Sequence, residues 1–195
     1  MAEQRNQLVR NYVARRLHWL QSLPEHQQKA VLANLRRGVG RMPGELPELW
    51  GVFLQDLPEP LESRTGSPTP GEWAIYQALT LYALHQQGRA LPRDSMHREG
   101  VRFGQAVRGL VKEGESPESS SVLRRFNALA TASSMPERAQ HLRGLVQLLR
   151  AEAIPLDYVQ LAEDLYWLQI PERAAGVSLR WGQDYYAFRR EENDE

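Results

Sequence analysis

Five histidines, the adjacent carboxylates Glu163 and Asp164, and twenty-two arginines are the side chains of this chain with chemistry to offer. His18, His26, His85, His97 and His141 form no His-x-x-x-His pair and no HExxH, and no Asp-x-Asp stands near them. The ligand spacings of a catalytic metal are therefore missing. Glu163 and Asp164 are neighbours in a helical pattern and point about 100° apart, so they cannot serve one substrate as acid and base. A solvated helix face is the expected account of that pair. The glycines of GVRFGQAVRG (Gly100 to Gly109) follow no strand and lack the GK[ST] ending of a phosphate-cradling loop. Small-residue helix packing is the expected reason for Gly104. These patterns assign no catalytic residue, no metal and no cofactor, and leave function to the arginines.

Each arginine has a structural reading beside the functional one. Arg36 and Arg37 lie in the last turn of a predicted helix, where a cation gains roughly 0.3 to 1 kcal/mol against the dipole without any ligand. Arg102 and Arg108 fall with Arg98 and Lys112 in the sector opposite Phe103, Val107, Leu110 and Val111. Arg124 points away from the Val122, Leu123, Phe126, Leu129 face, and Arg125 flanks it. Arg143 and Arg150 are seven apart and share a stripe with Gln147, which could follow a phosphate backbone or pair with acids of the next helix. His141 reads as a packed, hydrogen-bonded histidine. Trp73, Tyr76 and Tyr82 read as core, and Trp181, Tyr185 and Tyr186 as core or interface rather than base-stacking platforms.

The elements that must position these residues are helical throughout. Apolar residues at three- and four-residue spacing predict a first helix over about Gln4 to Gln21. Pro24 starts a second that reaches Arg37, with Gly38 as its C-terminal cap. A short helix over Leu46 to Gln55 precedes an irregular, proline-rich acidic connection. Thr69, Pro70 and Glu72 form a capping-box start for a helix to Gln87 that is apolar nearly all round. Gly88 to Gly100 is a polar loop and the expected boundary between two helical lobes, residues 1–92 and 93–195. Helices over Val101 to Glu113 and Val122 to Thr131 follow. Ser134 with Glu137 predicts a capping box for a helix to Arg150, and Asp157 with Gln160 another for a helix to Leu168. A last helix runs into the acidic tail Glu191 to Glu195. No strand-like alternation with hairpin turn chemistry occurs.

Composition sets the frame. With 195 residues, 42% hydrophobic and 25% charged, the chain can bury a sizeable core. It contains no cysteine, which excludes disulfides, thiolate zinc sites and thiol catalysis. No signal-peptide core and no membrane-length apolar run is present, so the cytoplasm is the expected location. The formal net charge of zero hides a segregation. Residues 1–41 carry eight cations against two acids, 73–112 six against two, and 124–150 five against one. Acidic blocks separate them. A fold that gathered the basic blocks on one face would have a nucleic-acid surface despite its neutral total. Otherwise the alternation merely keeps the helices solvated.

Read in order, LRRG (Leu35 to Gly38), GEWAIYQALTLYALH (Gly71 to His85), GVRFGQAVRGL (Gly100 to Leu110), RRFNALATA (Arg124 to Ala132), HLRGLVQLLR (His141 to Arg150), IPLDYVQLAEDLYWL (Ile154 to Leu168) and LRWGQDYY (Leu179 to Tyr186) resemble the CasB-type small subunit of the type I-E CRISPR surveillance complex, Cascade. The resemblance covers most of the chain. It implies an all-α, non-catalytic protein of antiviral defence, two copies of which lie head to tail beside the repeating backbone subunits and the large subunit that surround guide RNA and target DNA. It also implies binding without sequence preference that steadies the target and displaced strands of an open R-loop. The family's basic contacts then fall on Arg36, Arg37, Arg108, Arg124, Arg125 and Arg143. Where relatives often read Gly-Arg-Ala-Leu this chain has Gly104-Gln105-Ala106-Val107, and Arg102 or Arg108 would replace the missing cation at 105. A helical DNA-binding regulator would instead need a recognition helix after a tight turn, of which the Arg36-Arg37 helix end offers half. A protein-binding adaptor would show no salt-sensitive nucleic-acid binding.

Overall fold

The predicted periodicities become nine α-helices in a computed structural model, which describes residues 1–187. They are α1 (Ala2–Ser22), α2 (Glu25–Arg37), α3 (Trp50–Phe53), α4 (Pro70–His85), α5 (Phe103–Arg108), α6 (Ser121–Thr131), α7 (Met135–Ala151), α8 (Tyr158–Trp167) and α9 (Pro171–Ala187). Single 3₁₀ turns stand at Pro47–Leu49 and Glu59–Leu61. Among the described residues there is no sheet, only an isolated bridge between His97 and Leu156, and no helix is long and apolar enough to cross a membrane. The fold is all-α, as its periodicity predicts. The acidic tail Glu191 to Glu195 lies outside the described residues.

Local chemistry explains the boundaries. Thr69 Oγ1 accepts the N–H of Glu72 at 3.1 Å, and the Glu72 carboxylate accepts the N–H of Thr69 at 2.7 Å, so the capping box of α4 is complete. The other two boxes form only by half. Ser134 accepts from Glu137 N at 3.3 Å, but the Glu137 carboxylate is taken by the N–H of Ser133, one residue too early. Asp157 caps Val159 and Gln160 at 3.0 Å each, while the Gln160 amide turns to Glu163 and Asp164.

The short fifth helix is another departure from the expected Val101 to Glu113. Its N–H at Arg102 is capped by the Gln105 side chain at 3.2 Å, and beyond Arg108 the bonds tighten to Leu110 N–Val107 O and Val111 N–Arg108 O. Gly109 weakens propagation at that point. The Leu46 to Gln55 segment likewise divides into its 3₁₀ turn and α3.

Gly38 occupies the C-cap position of α2 with an ordinary helical φ of −77°, not the left-handed one expected of a glycine cap. The left-handed residue is Gly40, at φ 81°. Space is what requires glycine at 38, since a Cβ there would stand 2.7 Å from Tyr76 Oη, 2.8 Å from Leu49 Cδ1 and 2.9 Å from Thr80 Cγ2.

Helix α4, buried on nearly every side, is the centre, and α1, α2, α7 and α8 pack around it. Helix α8 lies late in the chain yet packs chiefly on α4 and α1, while α5 packs on α9 and α6 on α7. One buried cluster runs from Val9 to Tyr185, and each Leu or Phe in it contributes about 1.5–3 kcal/mol by leaving water. Trp181 sits between Phe103 and Phe126, and Tyr185 meets Phe126, so both are core, whereas Tyr186 is exposed. Trp73, expected in the core, is only partly buried, in the first turn of α4, whereas Gln77 and Thr80 further along the same flank are buried.

Candidate nucleic-acid interface

Three basic blocks of the sequence meet at one place. Glu25, Lys29, Leu32 and Arg36 recur at four-, three- and four-residue steps and so share a stripe of α2. That stripe walls a groove of about 370 Å³ whose other side is Gln86, Gly88, Arg89 and Ala90 at the end of α4. Gly88 has φ 85°, a turn that a side chain would strain, and this turn delivers Arg89 to the groove. Arg89 Nη2 donates to the carbonyl of Arg150 at 3.2 Å, and Arg150 Nη1 donates to Gln87 Oε1. The C-terminal end of α7 is thereby fastened to the end of α4. Arg150, Gln147 and Arg143 then continue along α7 for about 10 Å at 1.5 Å per residue.

The charge balance of the groove favours an anion. Lys29, Arg36 and Arg89 face it against the single acid Glu25, which Lys29 Nζ engages at 2.6 Å. Arg89 Nε is buried and has no acceptor among the described residues. Beneath lies His85, fully buried and hydrogen-bonded through Nδ1 to the Tyr158 hydroxyl at 3.0 Å. Burial, with a smaller push from Arg89 and Arg150, lowers its pKa to about 4.

The remaining sequence-derived arginines are placed variously. Arg37 pairs with Glu48 at 2.9 Å while its neighbour Arg36 turns to the groove. Arg102 pairs with Asp184 at 3.2 Å. Arg108 is half-buried in the last turn of α5. Arg124 is exposed but folds back to the Ser119 carbonyl at 3.3 Å, and Arg125 and Arg143 are exposed without an ion pair among the described residues. Arg36, Arg143 and Arg150 thus belong to one basic run. Lys29 and Arg89 join it unforeseen. Lys29 could have been found, being seven residues before Arg36, but nothing local marks Arg89 in its polar loop.

The carboxylate pair corrects its expectation as a solvated face. Asp164 is buried and accepts from Trp181 Nε1 at 2.6 Å and Arg180 Nη2 at 3.0 Å, and Glu163 accepts from Asn6 at 3.1 Å and from Arg10. Burial raises the Asp164 pKa, and the bonds from Trp181 and Arg180 oppose that rise. His141 is half-buried, with Nε2 3.9 Å from Glu137. Among the described residues no three His, Cys, Asp or Glu gather as metal ligands.

Comparison with known proteins adds to this geometry. A family model described as CRISPR-associated protein Cse2 matches residues 31–186. The solved structure of CasB from Thermobifida fusca is similar to this fold, with a TM-score of 0.74, 36% identity, and coverage of 92% of this chain and 98% of that one. No curated protein matches.

Proposed function

Because the chain belongs to the Cse2 (CasB) family of type I-E CRISPR small subunits, we propose that it works in antiviral defence by steadying nucleic-acid strands inside Cascade. In this reading it binds target and displaced strands through their phosphates, without sequence preference and without catalysing a reaction. Two copies act head to tail beside the repeating backbone subunit and the large subunit. The carrying observation is the convergence of Lys29, Arg36 and Arg89, from two separate basic blocks, on one groove, with Arg89 bonded to the carbonyl of Arg150 at the end of α7, the helix that carries Arg143. The proposed 1–92 lobe supplies every residue that lines the groove, and the proposed 93–195 lobe adjoins it through the bond from Arg89 to the carbonyl of Arg150. Arg37, Arg102, Arg108, Arg124 and Arg125 are proposed as outlying contacts. Modest backbone contacts suffice for such a role, since exchanging a DNA duplex for an RNA–DNA heteroduplex is nearly balanced.

The test is R-loop lifetime in the complex assembled with its guide RNA. Arg36→Glu combined with Arg143→Glu should shorten that lifetime several-fold while assembly persists, because each change replaces a phosphate contact with repulsion. Normal assembly with an unchanged lifetime would refute the reading.

A further inference from the structure

A second charged cleft lies on other helices. It has a volume of about 310 Å³ and brings together Arg10 of α1, Arg102 before α5 and Arg180 of α9, with Glu163, Asp164, Asp184 and Gln160. Each guanidinium has its own carboxylate: Arg10 with Glu163, Arg102 with Asp184, Arg180 with Asp164. The two charges are not at the same depth. The arginine side chains are 38%, 57% and 45% exposed, whereas their acids are 17%, 13% and 5% exposed. Carboxylates form the floor and guanidiniums the rim.

Helix fastening alone would use one donor of each arginine, and one is what the chain engages: Nη1 of Arg10, Nη1 of Arg102 and Nη2 of Arg180. A guanidinium has five N–H donors, so most of the donors at the rim have no partner among the described residues. The buried acids do not cancel their pull. An anion about 4 Å from a guanidinium and about 8 Å from the acid beneath it keeps about half of the bare attraction, because the energy falls as the inverse distance. The lining contains no apolar side chain. Protein hot spots centre on desolvated aromatic and apolar anchors, so the lining suits a phosphate better than a protein partner.

We propose that this cleft is a second oxyanion site, seating one phosphodiester of a nucleic-acid strand on Arg10, Arg102 and Arg180, with Glu163, Asp164 and Asp184 as positioning residues that hold the guanidiniums in place. It shares no residue with the groove of Arg36 and Arg89. It rests on the nucleic-acid reading above and extends the strand's path to Arg10 and Arg180, which that reading does not include.

The cleft has its own reporter, since Arg180 and the indole N–H of Trp181 share the Asp164 carboxylate. The full chain, labelled with nitrogen-15, is titrated with a short oligothymidylate, with pyrophosphate and with oligoglutamate. The indole cross-peak of Trp181 is identified by its loss in Trp181→Phe. Oligothymidylate should move this peak. Arg10→Gln should weaken oligothymidylate binding about three- to tenfold and reduce the slope of log K against log salt by about 0.7, the value for one phosphate of a single strand. Arg180→Lys, which retains the charge over Asp164, should weaken binding by less, and exposed Arg64→Gln should change nothing. An unmoved indole and an unchanged slope in Arg10→Gln, with binding weakened and the slope reduced in Arg36→Gln, would overturn the cleft and leave the groove standing. Failure of the wild-type chain to bind oligothymidylate at low salt would overturn both. A peak that moves with pyrophosphate alone would make this a free-anion site, and one that moves with oligoglutamate alone a protein contact. Either result overturns the strand assignment.

Discussion

The indole N–H of Trp181 donates to Asp164 at 2.6 Å, joining α9 to α8 through a carboxylate that also holds Arg180. Trp181 carries this bond from inside the aromatic cluster of Phe103 and Phe126. One buried polar group therefore orients the rings that seat α5 against α9 and holds a guanidinium of the second cleft.

Asp164→Ala should leave a buried indole N–H and a cation without their acceptor. The expected loss is about 3 kcal/mol, or a fall in Tm of about 6–12 °C for a chain of this size. Asp164→Asn keeps an acceptor for Trp181 and should lose less. Thermal unfolding followed by tryptophan fluorescence measures both, and a melt within about 1 °C of wild type for Asp164→Ala would contradict the account.

His85 should make the fold acid-sensitive above the range where the carboxylates titrate. Its folded pKa is about 4, lowered from 6.5 by burial. The unfolded chain therefore takes up this proton first as pH falls, and stability present above pH 6.5 is lost towards pH 4. The full difference corresponds to about 3 kcal/mol at 1.36 kcal/mol per unit. His97 is lowered by burial as well and adds in the same direction. Urea unfolding at pH 7 and pH 4.5 should show a large loss for wild type and a smaller one for His85→Gln. Equal losses in the two proteins would count against His85 as the group responsible.

Gly104 and Gly182 should respond oppositely to alanine. A Cβ at 104 would stand 2.2 Å from the backbone oxygen of Trp181 and 3.0 Å from Tyr185 N, so α5 and α9 must separate. Backbone cannot rotate aside as a side chain can, and the cost is about 3 kcal/mol, at the upper end of overpacking. A Cβ at 182 meets nothing within 4 Å, and in mid-helix the change should be neutral or stabilising by up to about 1 kcal/mol. Chemical denaturation of the two variants compares them directly.

Features carried by neighbouring residues were legible in the sequence. Thr69, Pro70 and Glu72 mark the start of α4 because all three act within one turn, and Gly104 reads as a packing glycine because no phosphate-loop context surrounds it. Features made by distant partners were not. Glu163 and Asp164 look solvated from their spacing, but Arg10 and Asn6 reach Glu163 across more than 150 residues. Arg89 gains its place from a left-handed Gly88 and from the carbonyl of Arg150, 61 residues on. Arginine pairs present a third case, because the sequence places two adjacent cations at the end of α2 and only tertiary structure tells them apart.

That distinction predicts unequal roles for Arg36 and Arg37. Arg37 is exposed and paired with Glu48, a surface contact worth about 0.2–1 kcal/mol. Arg36 has no ion pair among the described residues and lines the groove with Lys29 and Arg89. Arg36→Ala should therefore leave the melting temperature nearly unchanged while reducing the salt slope of single-strand binding by about 0.7, the release expected from one lost phosphate contact. Arg37→Ala should lower stability slightly and change the slope less, since its guanidinium must leave Glu48 before it can meet a phosphate. Fluorescence anisotropy of a labelled oligonucleotide across a salt series reads both slopes. If Arg37→Ala proved the more damaging to binding, the strand would have to pass on the Glu48 side of the helix end rather than through the groove.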